Sequence, residues 1–164
     1  VDEALRKDSA TILGKMDFNG FAIGGSLGRN EHDLQNVLGY TVPFLDPSRP
    51  RHLLGIGDVN NMDQGIVHGI DTFDSSYPTR AARHGMLLTG DQPIKINQKK
   101  YSEDSSPISK SCECTTCQRF SRAYLHHLFK AKEPVYHTLS SVHNLFWMAE
   151  RMSRIREEIL GNKR

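Results

Sequence analysis

Long hydrophobic runs are missing from this sequence: no stretch approaches the roughly 18 apolar residues needed to cross a bilayer, so no membrane-spanning helix is expected. No basic segment followed by an apolar one opens the chain, as a secretory leader would. Low-complexity tracts and internal repeats are absent too. Cysteine is scarce, with three residues confined to six positions. An odd number so placed argues against a disulfide framework and for a metal in a reducing compartment, so the protein is expected in the cytoplasm. An initiator methionine is also lacking. The opening VDEALRKDSATILGKM reads as the interior of an amphipathic helix, and we expect the chain to be a piece of something longer.

What is present is an ordinary globular composition: 164 residues, 37% hydrophobic and 24% charged, enough for a real core. Charge is unevenly spread. Residues 1–75 carry six basic and eleven acidic side chains, whereas residues 76–132 carry ten basic and four acidic. The second block suits a polyanion such as nucleic acid, and a solvated mixed surface is its plain alternative.

The first half alternates strand and helix. GFAIGG (20–25), RHLLGIG (51–57) and IDTFD (70–74) read as strands. EHDLQNVLGY, with Leu34, Val37 and Leu38, and NNMDQGIVHG, with Met62, Ile66 and Val67 on one face, read as helices. Apolar strands separated by helices imply a parallel sheet covered on both faces, with the site at the strand C-termini. Beyond Asp74 a hairpin is expected from GMLLT and PIKINQ. RFSRAYLHHLFKAK should then form a helix with Phe120, Tyr124 and Leu128 inward. A last helix over 141–160 should bury Val142, Leu145, Phe146, Ala149, Met152, Ile155 and Ile159.

Three features carry chemistry. CECTTC sets Cys112, Cys114 and Cys117 at C-x-C-x2-C, and three crowded thiolates call for a cation, best a zinc with one further ligand. His126, His127, His137 and His143 are the candidates, with spacing favouring His143 near the start of the last helix. A closed Cys3His set makes the metal structural. Asp71 and Asp74 lie three apart in extended chain and so point to opposite faces. One is read as structural; Asp74, at the strand tip, is placed to attack an electron-poor carbon. PTRAARHG supplies Arg80, Arg83 and His84 in a basic loop, which Lys95, Lys99, Lys100, Arg119, Arg122 and Lys130 could extend along a phosphate backbone.

Together GFAIGGSLG, HLLGIG, GIDTFDSSYPTRAARHG, CECTTCQRFSRAYLHHLFKA and VHNLFW resemble, in order and spacing, the tRNA-guanine transglycosylases, the (β/α)8-barrel enzymes of queuosine biosynthesis. The resemblance implies an α/β fold. Residues 1–85 would hold the last three β/α units of a TIM barrel, and residues 86–164 a β-hairpin, a zinc-binding subdomain and C-terminal helices. It implies that Asp74 is the nucleophile that attacks C1′ at the anticodon wobble position of tRNA and expels guanine. A 7-deazaguanine base then captures the covalent intermediate with overall retention. Cys112, Cys114, Cys117 and His143 match the ligands of one structural zinc. Gly25 matches the glycine whose backbone meets the base, and Leu54 the apolar wall of that pocket. Gly55, Ile56, Gly57, Asp58, Val59, Asn60 and Asn61 match one tRNA-contacting segment, and Thr79, Arg80, Ala81, Ala82 and Arg83 another. A homodimer through the zinc region is implied as well.

Two departures stand out. GGSLGRN places Ser26 where most bacterial members have Leu, in a loop one residue shorter, which leaves open whether queuine or its precursor is the incoming base. The family's second catalytic aspartate and its base-reading carboxylate and amide would lie upstream, so this chain alone is expected to be inactive. A non-catalytic subunit of the same family and a zinc-stabilised nucleic-acid-binding module are the alternatives.

Overall fold

In the computed structural model, residues 2–27, 31–90 and 92–161 are described. The chain forms two compact units that divide between Tyr77 and Pro78. No described helix is long and apolar enough to cross a membrane.

The first unit runs α1 (Glu3–Gly14), β1 (Phe21–Ile23), α2 (Glu31–Thr41), a 3-10 turn at Val42–Phe44, β2 (Arg51–Leu53), α3 (Val59–Val67) and β3 (Thr72–Phe73). Asp2 caps α1 by accepting from Leu5 N, and Asp58 caps α3 by accepting from Asn61 N. The three strands are parallel, in the order β1-β2-β3. Their register aligns two rows: Ile23, Leu53 and Phe73 in one, Ala22, His52 and Thr72 in the other. Side chains alternate between faces along a strand, so each row belongs to one face. The first row packs with Ala10 of α1 and with Leu34 and Leu38 of α2. On α3, Gly65 lets the helix settle on Phe73: a Cβ there would lie 2.8 Å from the ring.

The expected two-sided cover is therefore corrected. Ala22 and Thr72 are exposed and His52 is half-exposed, so the described helices cover only the other face. The third strand is also shorter than 70–74. Ile70 sits in the core as the chain leaves α3, its N–H bonded to Gly65 O at 3.0 Å. On α3, Met62 points inward but Val67 is 80% exposed. Five residues apart on a helix is about 140°, which turns Val67 away.

The second unit takes α4 (Tyr77–Arg83) from Pro78 on, then β4 (Met86–Leu87) and β5 (Ile94–Lys95), which pair antiparallel as the expected hairpin. A 3-10 turn at Lys99–Tyr101 leads to α5 (Thr115–Arg119), α6 (Arg122–Ala131) and α7 (Pro134–Gly161). PTRAARHG is thus mostly helix rather than loop, with Pro78 at an early position where its missing N–H costs nothing. The core gathers Leu87, Ile94, Ile96, Ile108, Leu125 and Tyr136 around Cys114 and Cys117.

Two helix readings change. Ser121 caps α6, so Phe120 lies before it. The inward residues are Leu125 and Leu128, while Tyr124 faces out and stacks on Phe120 at 5.2 Å. In α7 the apolar period is right but its phase is not. The buried residues are Tyr136, Ser140, His143, Asn144 and Trp147, whereas Val142, Leu145 and Ile159 are exposed and Ala149 lies on the open side. Polar groups win the inner face because each is satisfied there. Asn144 Oδ1 accepts from Leu88 N at 2.9 Å, and Nδ2 donates to Pro78 O and Met86 O. Tyr136 Oη donates to Ala82 O at 3.0 Å.

Candidate active site and metal centre

The parallel order of β1, β2 and β3 brings their C-terminal ends to one edge. After β1 the chain turns at Gly25, whose φ of +75° lies in the left-handed region that glycine tolerates. Arg6 of α1 donates from Nη2 to Gly24 O at 3.0 Å and to Ser26 O at 2.7 Å, holding this turn from behind. After β2, Leu54 N donates to Ile23 O at 2.9 Å, and Leu54 remains 45% exposed. A Cβ on Gly24 would stand 2.5 Å from Leu54 Cδ1. The turn of Gly25 and the side chain of Leu54 are thus neighbours on this edge.

After β3 comes Asp74. Its Oδ1 accepts from Gly55 N at 3.1 Å and lies 3.0 Å from His52 Nε2. The Gly55 amide first, then His52, hold the carboxyl below the usual aspartate range, so it is ionised at neutral pH. The carboxylate is exposed toward the open face. Asp71 does the other work expected of the pair. Its Oδ2 accepts from Arg51 N at 2.8 Å, and its own N–H donates to Arg51 O, pinning the strand register.

His52 was not marked by the sequence reading. It stands between Ala22 and Thr72 in the open row, with Nδ1 2.8 Å from Thr72 Oγ1. Two-residue alternation from Leu53 would have put it on the site face, so the signal was there. Arg6 had none, since its contacts lie 18 and 20 positions away. Of the two segments matched to tRNA contacts, the first is a turn and helix cap. Gly55 has a φ of +76°, and Asp58 bonds Asn61 through both backbone and side chain. In the second, Arg80 and Arg83 reach solvent on α4, while Ala81 and Ala82 are buried. Arg122 is no free phosphate contact: Asp104 takes it at 3.0 Å and Ile108 O at 2.8 Å.

The second unit holds the metal centre. The ligand atoms of Cys112, Cys114, Cys117 and His143 all lie within 4.8 Å of one another. His143 Nδ1 is 3.7, 3.5 and 3.4 Å from the three sulfurs. Tetrahedral zinc, with bonds of about 2.3 Å to sulfur and 2.0 Å to nitrogen, sets that edge at about 3.5 Å, so the set fits the ion. His143 Nε2 is 2.8 Å from Leu88 O, which fixes the proton on Nε2 and leaves the Nδ1 lone pair facing the thiols. Burial lowers the His143 pKa and keeps the ring neutral. Burial and the neighbouring thiols push Cys117 up to about 12, and burial raises Cys112. Without a cation Cys112 and Cys117 stay protonated; a metal displaces those protons. His143 lies well inside α7 rather than near its start, held by a frame that begins at Pro134. His126 instead bonds Ile96 O at 2.7 Å, and His127 is exposed.

A β/α unit with an ionised strand-end carboxylate, joined to a Cys3His unit suited to one structural zinc, defines the class. The profile of the queuine tRNA-ribosyltransferase family matches residues 1–163, and the chain belongs to that family. It is 47% identical over 159 residues to the queuine tRNA-ribosyltransferase of Protochlamydia amoebophila, covering 97% of this chain and 41% of the relative. It is 48% identical to that of Chlamydia abortus and 50% to that of Chlamydia pneumoniae, in each case covering 99% of this chain and 44% of the relative. The chain thus spans less than half the length of the curated relatives it matches.

Proposed function

We propose that the protein this chain belongs to is a cytoplasmic tRNA-guanine transglycosylase, a pentosyltransferase that exchanges guanine at the wobble position for a 7-deazaguanine base. Residues 1–85 are read as the last three units of a TIM barrel and residues 86–164 as its zinc-bearing appendage. The open face of β1, β2 and β3 supports the barrel reading, since such a row needs further strands to enclose it.

The observation that carries the reading is Asp74, an ionised carboxylate at a strand C-terminus with both its hydrogen bonds on Oδ1. In the reading, Oδ2 attacks C1′, the C1′–N9 bond breaks and guanine leaves with its electron pair, protonated by an acid upstream of this chain. The incoming base then attacks C1′ through N9, loses its proton, and returns the electron pair to Asp74. Two inversions give retention. Gly25 and Leu54 are read as the floor and wall of the base pocket, and the segments 55–61 and 79–83 as tRNA contacts. One zinc, held by Cys112, Cys114, Cys117 and His143, fixes α5 against α7 and takes no part in the chemistry.

A homodimer is read from the outward stripe of α7. Val135, Val142 and Ala149 form one seven-residue series and Leu145, Met152 and Ile159 another, which is the seam of paired helices. Radiolabelled guanine exchange on tRNA with guanine at the wobble position tests the function. The full-length protein should exchange, and Asp74→Asn should abolish exchange while still binding tRNA. Exchange surviving in Asp74→Asn would overturn the assignment.

A further inference from the structure

His52 and Thr72 stand beside Asp74 in a geometry that the exchange reaction uses twice. The carboxylate is ionised and can only accept, so His52 Nε2 must carry the proton it shares with Oδ1 at 3.0 Å. In the neutral ring Nδ1 is then the acceptor, and Thr72 Oγ1 donates to it at 2.8 Å. The carboxylate thus selects the tautomer, and the hydroxyl helps to fix the ring orientation. His52 and Thr72 are paired neighbours on β2 and β3, so the sheet itself sets this arrangement. Both donors to Asp74, the Gly55 amide and the imidazole, converge on Oδ1, and among the described residues no hydrogen bond is seen to Oδ2. One oxygen is held and the other is left for bonding.

We propose that His52, oriented by Thr72, is a positioning residue whose donor on Oδ1 governs how readily Asp74 releases the ribose in the second displacement. This rests on the reading of Asp74 as the nucleophile. In the covalent intermediate Oδ2 bridges to C1′ and Oδ1 is the ester carbonyl oxygen. When the incoming base bonds to C1′, the Oδ2–C1′ pair returns to the carboxylate and its charge spreads onto Oδ1. A donor already aimed there stabilises that charge as it forms, with no reorganisation. The same donor stabilises the free carboxylate before attack, so its effect on the first displacement runs the other way. Loss of the donor therefore shifts the balance toward the adduct, in addition to the loss of orientation.

The experiment uses the full-length protein: wild type, Asp74→Asn, His52→Leu, His52→Gln and Thr72→Val. Each is assayed for tRNA binding, labelled-guanine exchange, and the fraction of protein carried as a tRNA adduct that survives denaturing electrophoresis in the presence of guanine. His52→Leu should lower kcat for exchange and raise the adduct-to-free ratio by about 10-fold, the scale of one hydrogen bond to a charged group, with non-covalent tRNA binding unchanged and KM falling with kcat. His52→Gln, whose amide can donate from nearly the same place, should restore both values. Thr72→Val should shift them in the same direction as His52→Leu but less, and it serves if His52→Leu does not fold. An adduct ratio equal to wild type in a tRNA-binding His52→Leu, or in Thr72→Val if the leucine variant does not fold, overturns the role of His52 and leaves Asp74 standing. Adduct or exchange persisting in Asp74→Asn removes the nucleophile and the inference with it.

Discussion

At the scale of single residues, the two centres work by opposite uses of burial. Asp74 is exposed, and its charge is further stabilised by donors, a backbone amide and an imidazole. Burial raises the Cys112 and Cys117 thiols and lowers the His143 imidazole, so a cation would displace thiol protons and take the neutral ring through its free Nδ1 lone pair. Removing one ligand leaves the others with no gain to offset that desolvation. Cys114→Ser should lower bound zinc from about one per chain to a small fraction and lower the melting temperature, as read by elemental analysis and calorimetry. Full zinc occupancy in that variant would contradict the assignment of the four ligands. The cysteines were legible as a set because C-x-C-x2-C has few other uses. The fourth ligand was open among four histidines, with spacing favouring His143 and the family resemblance matching it. His52 was missed for a plainer reason: its role depends on Thr72 and Asp74, 20 and 22 positions on, brought beside it by strand pairing.

At the scale of elements, periodicity found the helices but misjudged which way the longest one faces. The series Val142, Leu145, Ala149 and Met152 has helical spacing, and hydrophobicity alone would bury it. The inner face of α7 instead carries His143 and Asn144, because the metal and the backbone of β4 and α4 need those groups there. Directional bonds outrank apolar burial when a buried polar partner would otherwise be stranded. In the dimer reading, Leu145→Glu on the full-length protein sets a charge in the seam. It should shift the sedimentation profile from dimer toward monomer, with zinc content unchanged. A dimer that persists at wild-type concentration dependence would place the contact elsewhere. The short strand β3 shows a second limit of pattern reading, since Ile70 belongs to the apolar run but serves the turn out of α3.

At the scale of the whole molecule, the order of strands and helices was readable because βα alternation, a hairpin and two closing helices each have a distinct period. One-sided cover of the sheet was not, because a strand of mixed pattern such as RHL does not say what lies beyond its polar face. That open face, lined by Ala22, His52 and Thr72 and ending at Asp74, is the centre of the functional account. The chain spans less than half of its relatives, so the account concerns the complete protein. The most direct test is to trap that protein with its tRNA under denaturing conditions, digest both components, and map the modified peptide by mass spectrometry. The account predicts a ribose-linked adduct on the peptide containing IDTFD, with fragment ions placing it on Asp74. An adduct on any other side chain would contradict it.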